Sequence, residues 1–187
     1  MMNTVMSSLT KTIATLSVAT FLCASAYAEK PKWTEKSDVS IVDFAVGASG
    51  EPFDFDSNGE DFDVLVAALI ATGTVAAFDG SDLTVFAPND NAFYMLTNTT
   101  NDADAFNAAV SLLGADGVAD VLKYHVTEGV RNSRSVTRAK MVEMLDGNSI
   151  YYDDGLIIAE KSEAKIISED NRLSDGMVHI IDTVLKP

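Results

Sequence analysis

Two rhythms of apolar residues divide the chain. Up to residue 126 they recur mainly at three- and four-residue intervals, the period of a helix with one buried face. SIVDFAVGA (40–48) puts Ile41, Phe44 and Ala45 on one side, with Asp38 or Ser40 as cap and Gly47 and Gly50 to end the turn. DFDVLVAALIATG (61–73) predicts an amphipathic helix with Phe62, Leu65, Val66, Leu69 and Ile70 inward. Asp61 and Asp63 sit where a first turn has unpaired N–H groups, and Gly73 sits where a helix stops. TVAAF leads into the turn DGSD. LTVFAP (83–88) reads as a buried strand halted by Pro88. Asn89 or Asp90 then caps a helix, NAFYML, with Phe93 and Leu96 facing inward. After the loop TNTTNDAD, FNAAVSLLG and VADVLKYHV are helical, the second with Val118, Val121, Leu122 and His125 on one face.

Beyond residue 126 the rhythm changes. VTEGV, VEML, SIYY, GLIIAE, AKIISE and MVHIIDTVL are short β-favouring runs separated by DGN, DDG and SDG turns. Helices around one early strand, followed by many strands, predict an α+β fold with a mostly antiparallel sheet.

The first residues follow neither rhythm. Lys11, the apolar run TIATLSVATFLCASA and the small-x-small triplet Ala26-Tyr27-Ala28 read as a signal peptide, residues 1–28, cleaved after Ala28. Residues 29–37 form a polar, flexible lead-in and 38–187 a single domain. No later segment reads as transmembrane, so the expected location is periplasmic or secreted. The one cysteine, Cys23, lies in the leader, so disulfides are excluded from the rest and stability rests on packing. The net charge of −15 argues against nucleic acid or an anionic membrane as partner. A domain of this size closes its own core, and a monomer is expected.

Chemistry-bearing motifs are sparse. There is no G-x-S-x-G elbow, H-E-x-x-H pair or glycine-rich phosphate loop. His125 and His179 are each flanked by apolar residues. With Asp182 they offer three metal ligands, but buried histidines bonded to backbone explain the pattern better. Asp153 and Asp154 precede Gly155 as a hairpin turn requires.

Three stretches taken together, TVFAPNDNAF (84–93), LKYHV (122–126) and DGMVHIIDTVLKP (175–187), closely resemble a fasciclin domain, with SIVDFAV and FDVLVAAL adding to the likeness. The resemblance covers about residue 38 to the C-terminus. It implies a β-wedge or sandwich packed with helices. The family's motif falls on Thr84, Val85, Phe86, Ala87 and Pro88 in the strand, with Asp90 and Phe93 as cap and anchor of the next helix. Its Tyr-His pair falls on Tyr124 and His125, a possible interaction site. Its terminal motif falls on Gly176, His179 and Asp182, with Val184 and Leu185 in a closing strand. The resemblance implies a non-catalytic extracytoplasmic adhesion or interaction module, without cofactor, binding a cell-surface or matrix protein or a polysaccharide. The alternative is a periplasmic small-ligand or metal-ion-binding protein.

One stretch stands apart from that pattern. FDFDSNGEDFD (53–63) begins like an EF-hand loop, with Asp54, Asp56, Asn58 and Glu60 as calcium candidates and Gly59 at the sixth position. Position 12, where a bidentate Glu belongs, is Leu65. The expectation is a turn at Asn58-Gly59, with Asp61 or a neighbour capping the helix that begins near Phe62.

Overall fold

Capping side chains set most helix starts. Ser40 accepts from Asp43 N–H and opens α1 (Ile41–Ala48); Asn89 accepts from Ala92 N–H and opens α4 (Asp90–Thr97). Asn101 and Asn132 do the same for α5 (Asp102–Lys123) and α6 (Ser133–Arg138). The computed structural model describes residues 36–50, 53–78 and 82–187. The leader read at 1–28 and most of the lead-in at 29–37 lie outside the described residues.

Two further helices, α2 (Asp63–Thr72) and α3 (Val75–Phe78), precede β1 (Leu83–Pro88). The later strands are β2 (Val126–Glu128), β3 (Val142–Glu143), β4 (Ser149–Asp153), β5 (Leu156–Ile158), β6 (Glu163–Arg172) and β7 (Gly176–Ile181). They make one seven-stranded sheet in the order β2-β1-β7-β6-β5-β4-β3. Only β1 and β7 run parallel, joining Leu83–Pro88 to Gly176–Ile181 residue by residue; every other pair is antiparallel. The two ends of the sheet also touch. Leu145 N–H donates to Val126 O at 2.8 Å and the Thr127 hydroxyl donates to Glu143 O at 2.7 Å, so the sheet curls on itself.

Alternation along β1 builds two cores. Val85 and Ala87 face the helices with Phe62, Leu65, Leu69, Phe93, Leu122 and Val178. Phe86 points the other way, into the curled sheet with Tyr124, Ile150, Ile157, Ile181 and Leu185. α1 belongs to the first core through Ile41 and Ala45, and its first N–H donates to Asp175 in the SDG turn at 2.9 Å. Gly176 sits where nothing larger fits: a Cβ there would lie 2.3 Å from Leu83 O and 2.7 Å from Ile41 Cδ1. The two-residue turn Asp154-Gly155, with φ of 43° and 89°, joins β4 to β5 as the type I′ pattern requires.

The structure corrects several readings. α2 is not amphipathic over its first two turns: Asp63 to Leu69 are all buried, whereas Ile70, assigned inward, is 51% exposed. The two segments read after TNTTNDAD are one helical run, broken at Gly114 (φ 70°, ψ 168°). By length and composition alone that run could cross a membrane, contrary to the expectation of no such segment. The break at Gly114, aspartates at both its ends, and packing against α2 and α4 give it a place in the helical layer. α6 interrupts the stretch read as strands only. β7 ends at Ile181, so Val184 and Leu185 are buried in the core outside any strand.

Candidate functional site

The motif residues are placed by the parallel β1–β7 pair. Thr84 is fully buried; its hydroxyl donates to Gly129 O at 2.7 Å and accepts from Arg131 N–H at 2.8 Å. Phe86 stacks on His179 with ring centroids 5.6 Å apart. His179 accepts from Asp170 N–H through Nδ1 (3.3 Å) and donates to Arg131 O through Nε2 (2.9 Å). His125 uses the opposite tautomer: Nδ1 donates to Val121 O (2.7 Å) and Nε2 accepts from Leu185 N–H (2.9 Å). Both rings are neutral clamps with both nitrogens engaged. Burial lowers the pKa of each, that of His125 to about 4. Asp182 accepts from Lys165 N–H (2.8 Å) and from the Thr183 hydroxyl (3.0 Å), tying β7 to β6 rather than joining the histidines.

Tyr124 and His125 do not form an interaction surface. They are 0% and 1% exposed. The Tyr124 hydroxyl donates to Ser149 O at 3.0 Å, holding the helical layer to β4.

Asp90 also has a different task from the one expected. It is the first residue of α4, which Asn89 caps. Its carboxylate instead accepts from the N–H groups of Asp63 (2.8 Å) and Val64 (3.0 Å), capping α2 across the molecule. α2 has no cap of its own, because Phe62 occupies the N-cap position; the expected cap, Asp61 or a neighbour, does not serve. The loop before α2 reciprocates. Asp61 O accepts from Asp90 N–H at 3.1 Å and Gly59 O accepts from Asn91 N–H at 2.9 Å. Gly59 permits this approach, since a Cβ there would lie 2.2 Å from the Asn91 side chain.

This docking gathers acids. Asp61, Asp63 and Asp90 each bring a carboxylate oxygen within 4.8 Å of the others, and Asp54, Asp56 and Asp63 form a second such group. Asp63, Asp90 and Asp102 are fully buried, each the first residue of a helix, while Asp54 and Asp56 are exposed. Burial pushes the Asp90 carboxyl well above the usual carboxylate range, its contact with Asp61 adds to this, and the Val64 N–H works against it. Burial raises Asp61 and Asp63 as well. Of the EF-hand candidates only Asp54 and Asp56 join the group. Asn58 donates to Asp61 Oδ2 (2.9 Å), and Glu60 accepts from Asn91 (2.8 Å). The sequence reading missed Asp63 and Asp102 as members, although an Asp at the first position of three helices was a visible signal.

A second feature lies where the sheet ends meet. An open groove of about 370 Å³ is lined by Thr127, Glu128, Arg131, Glu143, Met144, Leu145 and Gly147. Arg131 Nε is buried there without an acceptor among the described residues.

A curled sheet backed by helices, with its motif histidines, tyrosine and acids bonded within the chain, defines a scaffold-type domain. The chain belongs to the fasciclin family: the Fasciclin domain matches residues 60–187, and this is a non-catalytic, adhesion-type family. It is 32% identical over 160 residues to Protein sll1483 of Synechocystis sp., covering 82% of each chain. It is 28% identical over 128 residues to the transforming growth factor-beta-induced protein ig-h3 of Sus scrofa, covering 67% of this chain and 18% of that one. With periostin of Homo sapiens it shares 29% identity over 155 residues, 80% of this chain and 17% of that one. The chain thus spans under a fifth of either animal protein. The solved FAS1 domain pair of the insect cell adhesion molecule fasciclin I shares the fold, with a TM-score of 0.50, 19% identity, and coverage of 64% of this chain and 43% of that one.

Proposed function

We propose that this chain is an exported, non-catalytic interaction module that binds a protein or polysaccharide surface outside the cytoplasm. Membership of an adhesion-type domain family carries this reading. Export follows from the leader read at 1–28. The insect relative is described as a cell adhesion molecule, which supports the same role here. The groove at the sheet ends is the binding surface we favour, because it is lined by Arg131, whose buried Nε has no internal acceptor among the described residues, beside the acids Glu128 and Glu143. Such a groove suits a polar surface offering carbonyl or hydroxyl oxygens. The charge of −15 favours a partner with basic patches.

The small-ligand alternative has less support. The two apolar cavities beneath the helices hold about 20 Å³ each, whereas organic ligand sites run to roughly 300 Å³ or more, and the groove of about 370 Å³ is open and mainly polar rather than an enclosed apolar pocket. The test is a pull-down of cell-envelope proteins and polysaccharides with the full chain and with Arg131→Ala. The backbone of Arg131 makes the structural bonds, so the variant should fold normally. Retention by the wild type and its loss in the variant are expected. No retention from any fraction would sink the reading.

A further inference from the structure

The gathered acids lack a counter-charge. Asp54, Asp56, Asp61, Asp63, Asp90 and Asp102 converge where the 53–62 loop meets the starts of α2, α4 and α5. The ion pairs among the described residues, Lys123–Asp120 and Lys161–Glu160, involve none of them. Each helix N-terminus contributes about half a positive charge, so three offset only part of the charge these acids carry when ionised. Backbone N–H groups satisfy part of the rest: Asp54 and Asp56 N–H donate to Asp63 (3.3 and 3.4 Å), and Ser57 N–H donates to Asp102 (2.6 Å).

One atom is left out. Asp61 is 6% exposed; its Oδ2 accepts from Asn58, but its Oδ1 is buried with no N–H donor among the described residues, and only a proton on the neighbouring Asp90 carboxyl could serve it. An orphaned carboxylate oxygen in a buried site is costly, and native proteins leave few. Two oxygens bound at 2.4 Å on opposite sides of a calcium ion are about 4.8 Å apart, so both acid groups have a span that one ion can bridge. Asp63 belongs to both groups, and the exposed Asp54 and Asp56 give solvent access.

We propose that Asp61, Asp63 and Asp90, with Asp54 and Asp56 adjoining them through the shared Asp63, form a site for a hard divalent cation of the calcium class, which locks the 53–62 loop onto the starts of α2 and α4. All the ligands are carboxylate oxygens, which suit calcium and not a soft metal. The set is not the linear EF-hand series. It uses residues from the loop and two helices, and it omits Asn58 and Glu60. A proton shared between Asp61 and Asp90 is the competing occupant.

The experiment compares thermal unfolding of the EDTA-stripped full chain at pH 7.5 with and without 10 mM calcium, alongside calorimetric titration. For a Kd in the range of extracellular calcium modules, about 0.1–1 mM, Tm should rise by about 3–10 °C with single-site heat. Asp61→Asn replaces the orphan oxygen by an amide that can donate to Asp63 or Asp90. It should melt at or above the wild type in EDTA and lose the calcium response. Asp54→Asn with Asp56→Asn, both at exposed positions, should weaken the calcium response at least tenfold while melting in EDTA no lower than the wild type. No shift and no heat with the wild type would overturn the proposal, as would a full calcium response in Asp61→Asn. A Tm that rises on acidification to pH 5 in EDTA, with no calcium effect at pH 7.5, would assign the site to a proton and overturn it equally.

Discussion

His125 shows how a side chain that suggests chemistry can instead hold the fold. Its ring joins Val121 at the end of α5 to Leu185 near the C-terminus, and only the neutral form can do both. The unfolded chain takes up this proton near pH 6.5, the folded chain only near 4. Between those values the unfolded state binds more protons. The stability contributed by His125 is therefore complete above about pH 6.5 and is lost as pH falls toward 4, a change on the order of 3 kcal/mol. Urea unfolding of wild type and His125→Gln at pH 7.5 and 4.5 isolates the effect: the wild type should lose more stability on acidification than the variant. Equal losses would show that His125 does not set the slope. Phe86 makes a second residue-scale prediction. It is fully buried between the curled sheet and His179, so Phe86→Ala should cost about 3–5 kcal/mol in the same measurement.

Among the elements, the parallel β1–β7 pair organises both cores, and Gly176 at its start leaves no room for a side chain. Gly176→Ala should destabilise by about 1–3 kcal/mol or more through overpacking against Leu83 O, read as a lower urea midpoint. The cross-cap on α2 predicts that Asp90→Ala leaves two buried N–H groups unpaired and costs about 1–3 kcal/mol for each. Local patterns made most elements legible. Ser40 and Asn89 announced helix starts, Gly73 an end, and Asp153-Asp154-Gly155 a hairpin. What escaped was non-local. Asp90 caps a helix 27 residues earlier in the chain, and no spacing rule records that reach. α2 looked one-sided because Val64, Ala67 and Ala68 were left off its inward face, but the loop, α4 and α5 cover that side. The acid loop was read along the chain as an EF-hand fragment. Its actual company, Asp63 and Asp90, becomes visible only once α2 and α4 are docked.

For the whole molecule, the fold places both histidines and Asp90 inside, and on the proposed reading a partner would meet the outer surface. Arg131 in the groove where the sheet ends meet is the one buried cationic donor without an acceptor among the described residues. A negatively charged chain bound to a partially basic surface should lose affinity as salt rises, since screening shortens the reach of its charges. The most direct measurement is surface plasmon resonance of the full chain and of Arg131→Ala over immobilised envelope protein and polysaccharide fractions, at 50 and 300 mM salt. The account predicts saturable wild-type binding to at least one fraction, weaker at the higher salt, and at least tenfold weaker for Arg131→Ala. Saturable binding that Arg131→Ala retains in full would contradict the groove, and no saturable binding to any fraction would contradict the interaction module itself.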